Sequence, residues 1–262
     1  MPTIQTETLR TYYELSGEGE TIVFIHGLGS SSQDWYFQRD FFAEHFQVLT
    51  YDVRGHGQSE KPAPPYSVET FSADLAALLK ALEIKKAHFV GLSMGGWIAF
   101  QFAVDYPEMV ETLTIVNSWA DMRPKNLQDW SKAFQRIVLF NFFSMRKIGE
   151  TVGARLFIKP EQKELLDGFI ESWAKNHKPS YMASFKAGIK WSVADRLDEI
   201  TAPVLVIAAD EDYSTVESKQ AYVDEISDAR LVVIEDSRHA TPVERPDEFN
   251  RVLFEFLRSP ST

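Results

Sequence analysis

Short apolar runs at residues 21–25, 47–51, 87–90, 112–116, 203–208 and 229–234 punctuate the chain, and segments of helical spacing separate most of them. Apolar runs of that length without alternation are what strands buried on both faces require. Strands that alternate with helices return through right-handed crossovers, so the pattern predicts an α/β fold: a mostly parallel sheet with helices on both faces. Such a sheet also confines the chemistry, because ligands and reactive groups collect outside the carboxyl ends of its strands.

Residues 3–15 alternate loosely and reach Ser16-Gly17-Glu18-Gly19-Glu20, which predicts a leading hairpin turning there. Helices are expected at 35–46, 67–82, 97–106, 216–226 and 247–257. The second carries Phe71, Leu75, Leu78, Leu79 and Leu82 at amphipathic spacing, and Pro107 stops the third. The alternation breaks over residues 119–195, which read as helical throughout and hold Trp119, Trp130, Trp173 and Trp191. No repeat, linker or low-complexity tract divides the chain. Residues 1–118 and 196–262 are therefore read as one α/β core, interrupted by a helical insertion at 119–195.

The formal net charge of −11 argues against nucleic acid or an anionic membrane as a partner. With 44% hydrophobic and 25% charged residues the chain is in the ordinary globular range. It has no cysteine, which excludes disulfides, thiolate metal sites and a cysteine nucleophile. Residues 1–10 include Glu7 and Arg10 and show no apolar signal region. No later stretch is apolar for the roughly 18 residues of a membrane span. The expectation is a cytoplasmic protein with a small-molecule substrate.

Gly91-Leu92-Ser93-Met94-Gly95-Gly96 lies between the 87–90 run and the 97–106 helix, the form of a nucleophile elbow. A serine hydroxyl is a weak nucleophile at neutral pH and needs a base, an acid to orient that base, and donors for the oxyanion. His239 follows the last strand and is the base candidate; the other histidines lie in strands, in helices or beside loop glycines. Asp210, Glu211 and Asp212 all follow the 203–208 strand. Asp212 is favoured, because a carboxylate two residues past the strand end can reach across to the histidine loop. The oxyanion donors are expected to be the backbone amides of Leu28 and Met94. A serine capping a helix and a surface histidine are the bland readings; the placement of Ser93 and His239 at strand ends, in chain order serine, acid, histidine, weighs against both.

His26, Asp52, Arg54 and His56 read as residues that brace loops. No metal-ligand spacing occurs, and Gly27-Leu28-Gly29 would need a glycine at Ser32 to begin a dinucleotide fingerprint, so neither metal nor cofactor is expected. The tryptophans of the insertion suit a core and a substrate cage equally well. Trp119, Phe143 and Trp191 are the candidate substrate contacts.

Taken together, His26-Gly27-Leu28-Gly29, Asp52-Val53-Arg54-Gly55-His56-Gly57-Gln58-Ser59, the serine elbow, the acidic turn and His239 resemble the α/β-hydrolase superfamily over essentially the whole chain. Within it, the elbow and Pro242-Val243-Glu244-Arg245-Pro246 are most similar to small esterases and to enol-lactonases of the 3-oxoadipate type. The resemblance implies an eight-stranded, mostly parallel sheet with a helical cap inserted after the sixth strand. It also implies serine hydrolase activity on a carboxylic ester or lactone without a cofactor. An aspartate nucleophile, as in haloalkane dehalogenases and epoxide hydrolases, does not fit Ser93. Carbon–carbon hydrolases and cofactor-free perhydrolases use the same triad and stay open, as does a binding protein on a hydrolase scaffold.

Overall fold

A computed structural model describes residues 2–259. Eight strands form one sheet in the order β1-β2-β4-β3-β5-β6-β7-β8. They span Thr3–Gln5 (β1), Arg10–Ser16 (β2), Thr21–Ile25 (β3), Gln47–Tyr51 (β4), Ala87–Leu92 (β5), Val110–Val116 (β6), Val204–Ala209 (β7) and Ala229–Ile234 (β8). Only β1 against β2 and β2 against β4 run antiparallel; every other pairing is parallel. Every residue of β3 and β7 is buried, as the unbroken apolar runs require.

Ten α-helices complete the described residues: α1 (Tyr36–Phe42), α2 (Val68–Ala81), α3 (Met94–Asp105), α4 (Leu127–Phe142), α5 (Met145–Leu156), α6 (Lys163–Ala174), α7 (Lys178–Gly188), α8 (Val216–Val223), α9 (Thr241–Glu244) and α10 (Pro246–Arg258). One face of the sheet packs against α2 and α3, through Phe71, Leu75, Leu78, Ile98 and Phe102. The other meets α1 and α10, through Phe42, Phe249, Leu253 and Phe256. In α10 the buried positions Phe249, Val252, Leu253, Phe256 and Leu257 recur at helical spacing, and each large side chain so buried contributes about 2 kcal/mol. The Ser67 hydroxyl caps α2 by accepting the Thr70 amide at 3.1 Å.

Between β6 and β7 the chain forms the helical cap, α4 to α7, after the sixth strand. It leaves and rejoins the sheet at one place. An isolated antiparallel bridge pairs Asp121 with Ser192, flanked by Met122 N–H to the Trp191 carbonyl (3.1 Å) and Val193 N–H to the Ala120 carbonyl (2.8 Å).

Two expectations are corrected. The leading hairpin turns at residues 6–9, where the Thr6 hydroxyl accepts the Leu9 amide at 3.0 Å. The Gly17 and Gly19 turn instead carries the chain past β4, and β3 lies beyond it. There Gly17 holds φ 73°, and an added Cβ would come within 2.2 Å of the Phe46 carbonyl oxygen, so only glycine passes. The helix expected at 35–46 is a 3₁₀ turn at Ser32–Trp35 followed by the short α1. The apolar period continues past it because Phe46 is buried from a turn.

Candidate active site

The strand order reverses at β3, since β4 lies on one side of it and β5 on the other, and the candidate residues lie past the carboxyl ends of β3, β5, β7 and β8. Ser93 stands between β5 and α3 with φ 54° and ψ −114°, a conformation that costs a non-glycine residue about 1–3 kcal/mol. The surroundings impose it. A Cβ on Gly91 would lie 2.3 Å from the Gly95 carbonyl oxygen, and one on Gly95 would lie 2.0 Å from that of Ile25. The Ser93 amide donates to the Val116 carbonyl at 3.0 Å, and its own carbonyl accepts the Ser118 hydroxyl at 2.7 Å. The turn thus holds the Ser93 side chain off the strand axis at the head of α3.

Two free amides border it. Met94 is the first residue of α3, so its N–H has no partner within the helix. Among the described residues no acceptor takes the Leu28 or Met94 amide. Gly27 brings the Leu28 loop close: a Cβ there would sit 3.6 Å from the Ser93 Cβ.

The acid turn and the histidine loop meet beside Ser93. His239 Nδ1 lies 2.8 Å from Asp212 Oδ1, and the Asp212 side chain is fully buried. Burial pushes the Asp212 carboxyl up, but the bonds and charges of His239 and Lys219, with the Ser214 hydroxyl, outweigh it and hold the group at about 2. A carboxylate can only accept, so Nδ1 carries the proton and Nε2 is the basic nitrogen. Asp210 lies elsewhere: it is exposed, and its Oδ1 accepts the Ser237 amide at 3.2 Å. Glu211 pairs with Arg238 at 2.9 Å.

Nε2 is not bonded to Ser93. Its partner is the Tyr213 hydroxyl, which also lies against the Ser93 side chain. The Tyr213 ring stacks on Trp119 with centroids 5.6 Å apart and covers the imidazole at 4.1 Å. Its outer ring gives the residue 62% exposure, while the hydroxyl end points inward, where burial and then the Asp212 charge push the phenol well above its ordinary value. Tyr213 is therefore a neutral donor to Nε2, lodged between Ser93 and His239. Arg136 of α4, seated 4.9 Å over the Phe185 ring, supplies the positive charge felt at Tyr213.

A family model described as alpha/beta hydrolase fold matches residues 20–246. The chain belongs to this family. It is 29% identical over 257 residues to 3-oxoadipate enol-lactonase 2 of Acinetobacter baylyi, covering 96% of this chain and 94% of that one. Among solved structures, the enol-lactonase of Burkholderia xenovorans superimposes with a TM-score of 0.90 at 27% identity, covering 98% of this chain and all of that one. Est816, described as an N-acyl homoserine lactone degrading enzyme, superimposes with a TM-score of 0.84 at 35% identity, covering 97% and 100%. Family and relatives make the chain a hydrolase. Among the described residues no helix is long and apolar enough to cross a membrane, and no cluster of three or more His, Asp or Glu could hold a metal ion.

Among the loop-bracing residues of this α/β hydrolase, His56 bonds the Arg54 carbonyl through Nδ1 alone, at 3.0 Å, while His26, Asp52 and Arg54 are engaged more fully. His26 sets Nδ1 against the Gly27 carbonyl at 2.8 Å and accepts the Val53 amide on Nε2 at 3.0 Å. Burial lowers its pKa, so it stays neutral and has no nitrogen left for catalysis. Asp52 accepts the Ser32 and Gln58 amides at 2.8 and 2.6 Å, and Arg54 forks onto Asp74 with both bonds at 2.6 Å.

Trp191 is corrected from substrate contact to core. It is 3% exposed, its indole N–H is satisfied by Gln101 Oε1 at 2.7 Å, and its ring packs against Trp97. Phe143 lies between α4 and α5, 44% exposed.

Three residues of the site carry no sequence signal that singled them out. Asn117, fully buried, donates to the carbonyls of Arg238 and His239 (3.1 Å each) and accepts the Ala209 amide at 2.8 Å. It ties the acid strand to the histidine loop. A polar residue at the carboxyl end of β6 was the available hint. Tyr213 and Lys219 complete the set, and neither belongs to a motif.

Proposed function

We propose that the chain hydrolyses a carboxylic ester or lactone through an acyl-enzyme on Ser93. The observation that carries the reading is the Asp212–His239 bond, which fixes the imidazole tautomer and leaves Nε2 basic, facing the Tyr213 hydroxyl that lies against Ser93. Ser93 Oγ attacks the carbonyl carbon while its proton passes to Nε2. The Leu28 and Met94 amides hold the oxyanion, each donor of this kind contributing about 3 kcal/mol in the transition state. Collapse breaks the bond to the alcohol oxygen, which takes the proton back from Nε2. Water then repeats the two steps in reverse roles and frees the acid.

Similarity to an enol-lactonase and to a homoserine lactone degrading enzyme supports the lactone, whose leaving oxygen stays tethered to the acyl group. Trp119 forms one wall through its stack on Tyr213, and Phe143 is a proposed further contact. The test is a fluorophosphonate, with mass spectrometry of the adduct, run beside a panel of lactones and short p-nitrophenyl esters. The expected result is one phosphonyl group on Ser93 and turnover of at least one substrate class. A chain inert in both arms is a binder on a hydrolase scaffold, and the reading fails.

Tyr213 must leave Nε2 before Ser93 can pass on its proton. Removing its hydroxyl takes away the competitor and leaves the stacked ring in place. Tyr213→Phe is therefore expected to label with fluorophosphonate several-fold faster and to keep kcat within about threefold of the parent. A fall of about 100-fold in kcat would make the phenol a proton carrier instead.

A further inference from the structure

Lys219 lies in the first turns of α8, a helix capped by Thr215, and its side chain has no exposure to solvent. Its ammonium group meets three oxygens: Asp212 Oδ2 at 3.0 Å, the Ser214 carbonyl at 2.8 Å and the Ser214 hydroxyl at 2.5 Å. An ammonium has three donors, and all are spent here. None of the three partners lies outside the acid turn. A lysine that served only to anchor α8 could keep its charge in water, as surface lysines do; this one is dry and saturated.

The two oxygens of Asp212 are thus divided. Oδ1 faces His239, and Oδ2 faces Lys219 and the Ser214 hydroxyl. We propose that Lys219 is a positioning residue of the hydrolytic site, which holds the Asp212 carboxylate ionised and turned edge-on to His239 and so sets the acid side of the enzyme's working pH range. The inference rests on the serine-hydrolase reading above.

The physical ground is the cost of a dry carboxylate. Burial alone favours the protonated acid, which would present an O–H or a neutral carbonyl to the imidazole in place of a charge. The opposite charge of Lys219 acts against burial and is one of the causes that keep the carboxyl low. Burial in turn pushes the lysine down, and the same carboxylate opposes it, so each member of the pair keeps the other ionised. The groups facing Asp212 are few: His239 from the loop after β8, Lys219 and the Tyr222 phenol from α8, and Tyr213 from its own turn, with Arg136 of α4 acting on Tyr213. Lys219 is the permanent cation of this group that touches the carboxylate.

The acid limb of kcat/KM reports the protonation of the free enzyme's essential base and of the acid behind it. The experiment follows that limb in the wild type, Lys219→Met, Lys219→Gln and Lys219→Arg, by ester hydrolysis and by the rate of fluorophosphonate labelling at Ser93. Without the cation, less opposes the upward push of burial. The limb should therefore move to higher pH by about one unit in Lys219→Met, with kcat reduced and KM nearly unchanged. Lys219→Arg keeps the charge and should return the limb toward its wild-type position even if packing lowers kcat. Lys219→Gln keeps a donor of similar reach but no charge, and carries the same test if the methionine variant does not fold. It should shift like methionine. An acid limb that stays in place in the uncharged variants, with loss confined to thermal stability or to a uniform drop in kcat, overturns the proposal and leaves the serine reading intact. A wild-type Ser93 that neither labels nor turns over a substrate removes both.

Discussion

Ser93→Ala is expected to abolish turnover: on the proposed mechanism kcat for the best ester or lactone substrate should fall on the order of 10⁵-fold, with loss of the fluorophosphonate adduct. In the proposed mechanism this side chain carries the attacking oxygen; the Tyr213 hydroxyl beside it is held neutral against Nε2, and the Ser118 hydroxyl is committed to the Ser93 carbonyl. Nothing can replace it. The fold survives, because the elbow is enforced by backbone bonds and by the glycines at 91, 95 and 96 rather than by the hydroxyl. The strain also gives the substitution a second readout. Glycine accepts φ 54° without penalty, so Ser93→Gly should be as inactive as alanine yet more stable than the parent by about 1 kcal/mol, read from denaturant midpoints. Retained activity in Ser93→Ala would place the nucleophile elsewhere.

Asp212→Asn is expected to lose on the order of 10⁴-fold in kcat, and Asp210→Asn to stay within about threefold of the parent. An asparagine at 212 can offer its NH₂ to Nδ1, which stabilises the wrong tautomer and leaves the forming imidazolium without a counter-charge. The Asp210 oxygen merely accepts the Ser237 amide, which an asparagine oxygen does equally well. Asp212→Asn also leaves the Lys219 ammonium dry and uncompensated, a loss of about 3–5 kcal/mol in unfolding free energy. The pH dependence of stability carries the same signature. The folded carboxyl is held at about 2, below its ordinary value. Its contribution is fully present above the unfolded value near pH 4 and is lost as pH falls through the folded one. In the asparagine variant that part of the acid-unfolding curve flattens. Equal losses in the two variants would mean that the acid had been assigned wrongly.

The parts of the site legible in the sequence are those tied to chain geometry. The 87–90 run, the glycines and the helix after them define an elbow, because no other residue type survives the close approaches at Gly91 and Gly95. The choice of Asp212 over Asp210 came from reach past a strand end, which the backbone dictates. Side chains recruited from a distance left no such trace. Lys219 is one lysine in a short helix, and only the folded turn shows that it points inward. Tyr213 follows an acidic residue, as tyrosines do in many loops, and its place between Ser93 and His239 depends on a rotamer. Trp191 misled because tryptophan suits a core and a cage equally; its partner Gln101, distant in sequence, decides for the core. The leading hairpin leaves little trace for a related reason: glycines such as Gly17 and Gly19 announce a reversal without saying which strand receives the chain.

The bridge between Asp121 and Ser192, with its two flanking backbone bonds, makes the helices from α4 to α7 a closed detour that begins and ends at one clasp. The ends of such a loop are held at a fixed spacing whatever lies between them, and the entropy of closing it grows only with the logarithm of its length. The clasp fixes where the detour joins the sheet, while Asn176, Lys159 and Arg155 tie the detour itself to Gly29, Asp236 and Arg238 in the loops around Ser93 and His239. On the proposed reading, substitutions along it that spare those ties are expected to reshape what reaches Ser93 at little cost to the alignment of Ser93, Asp212 and His239.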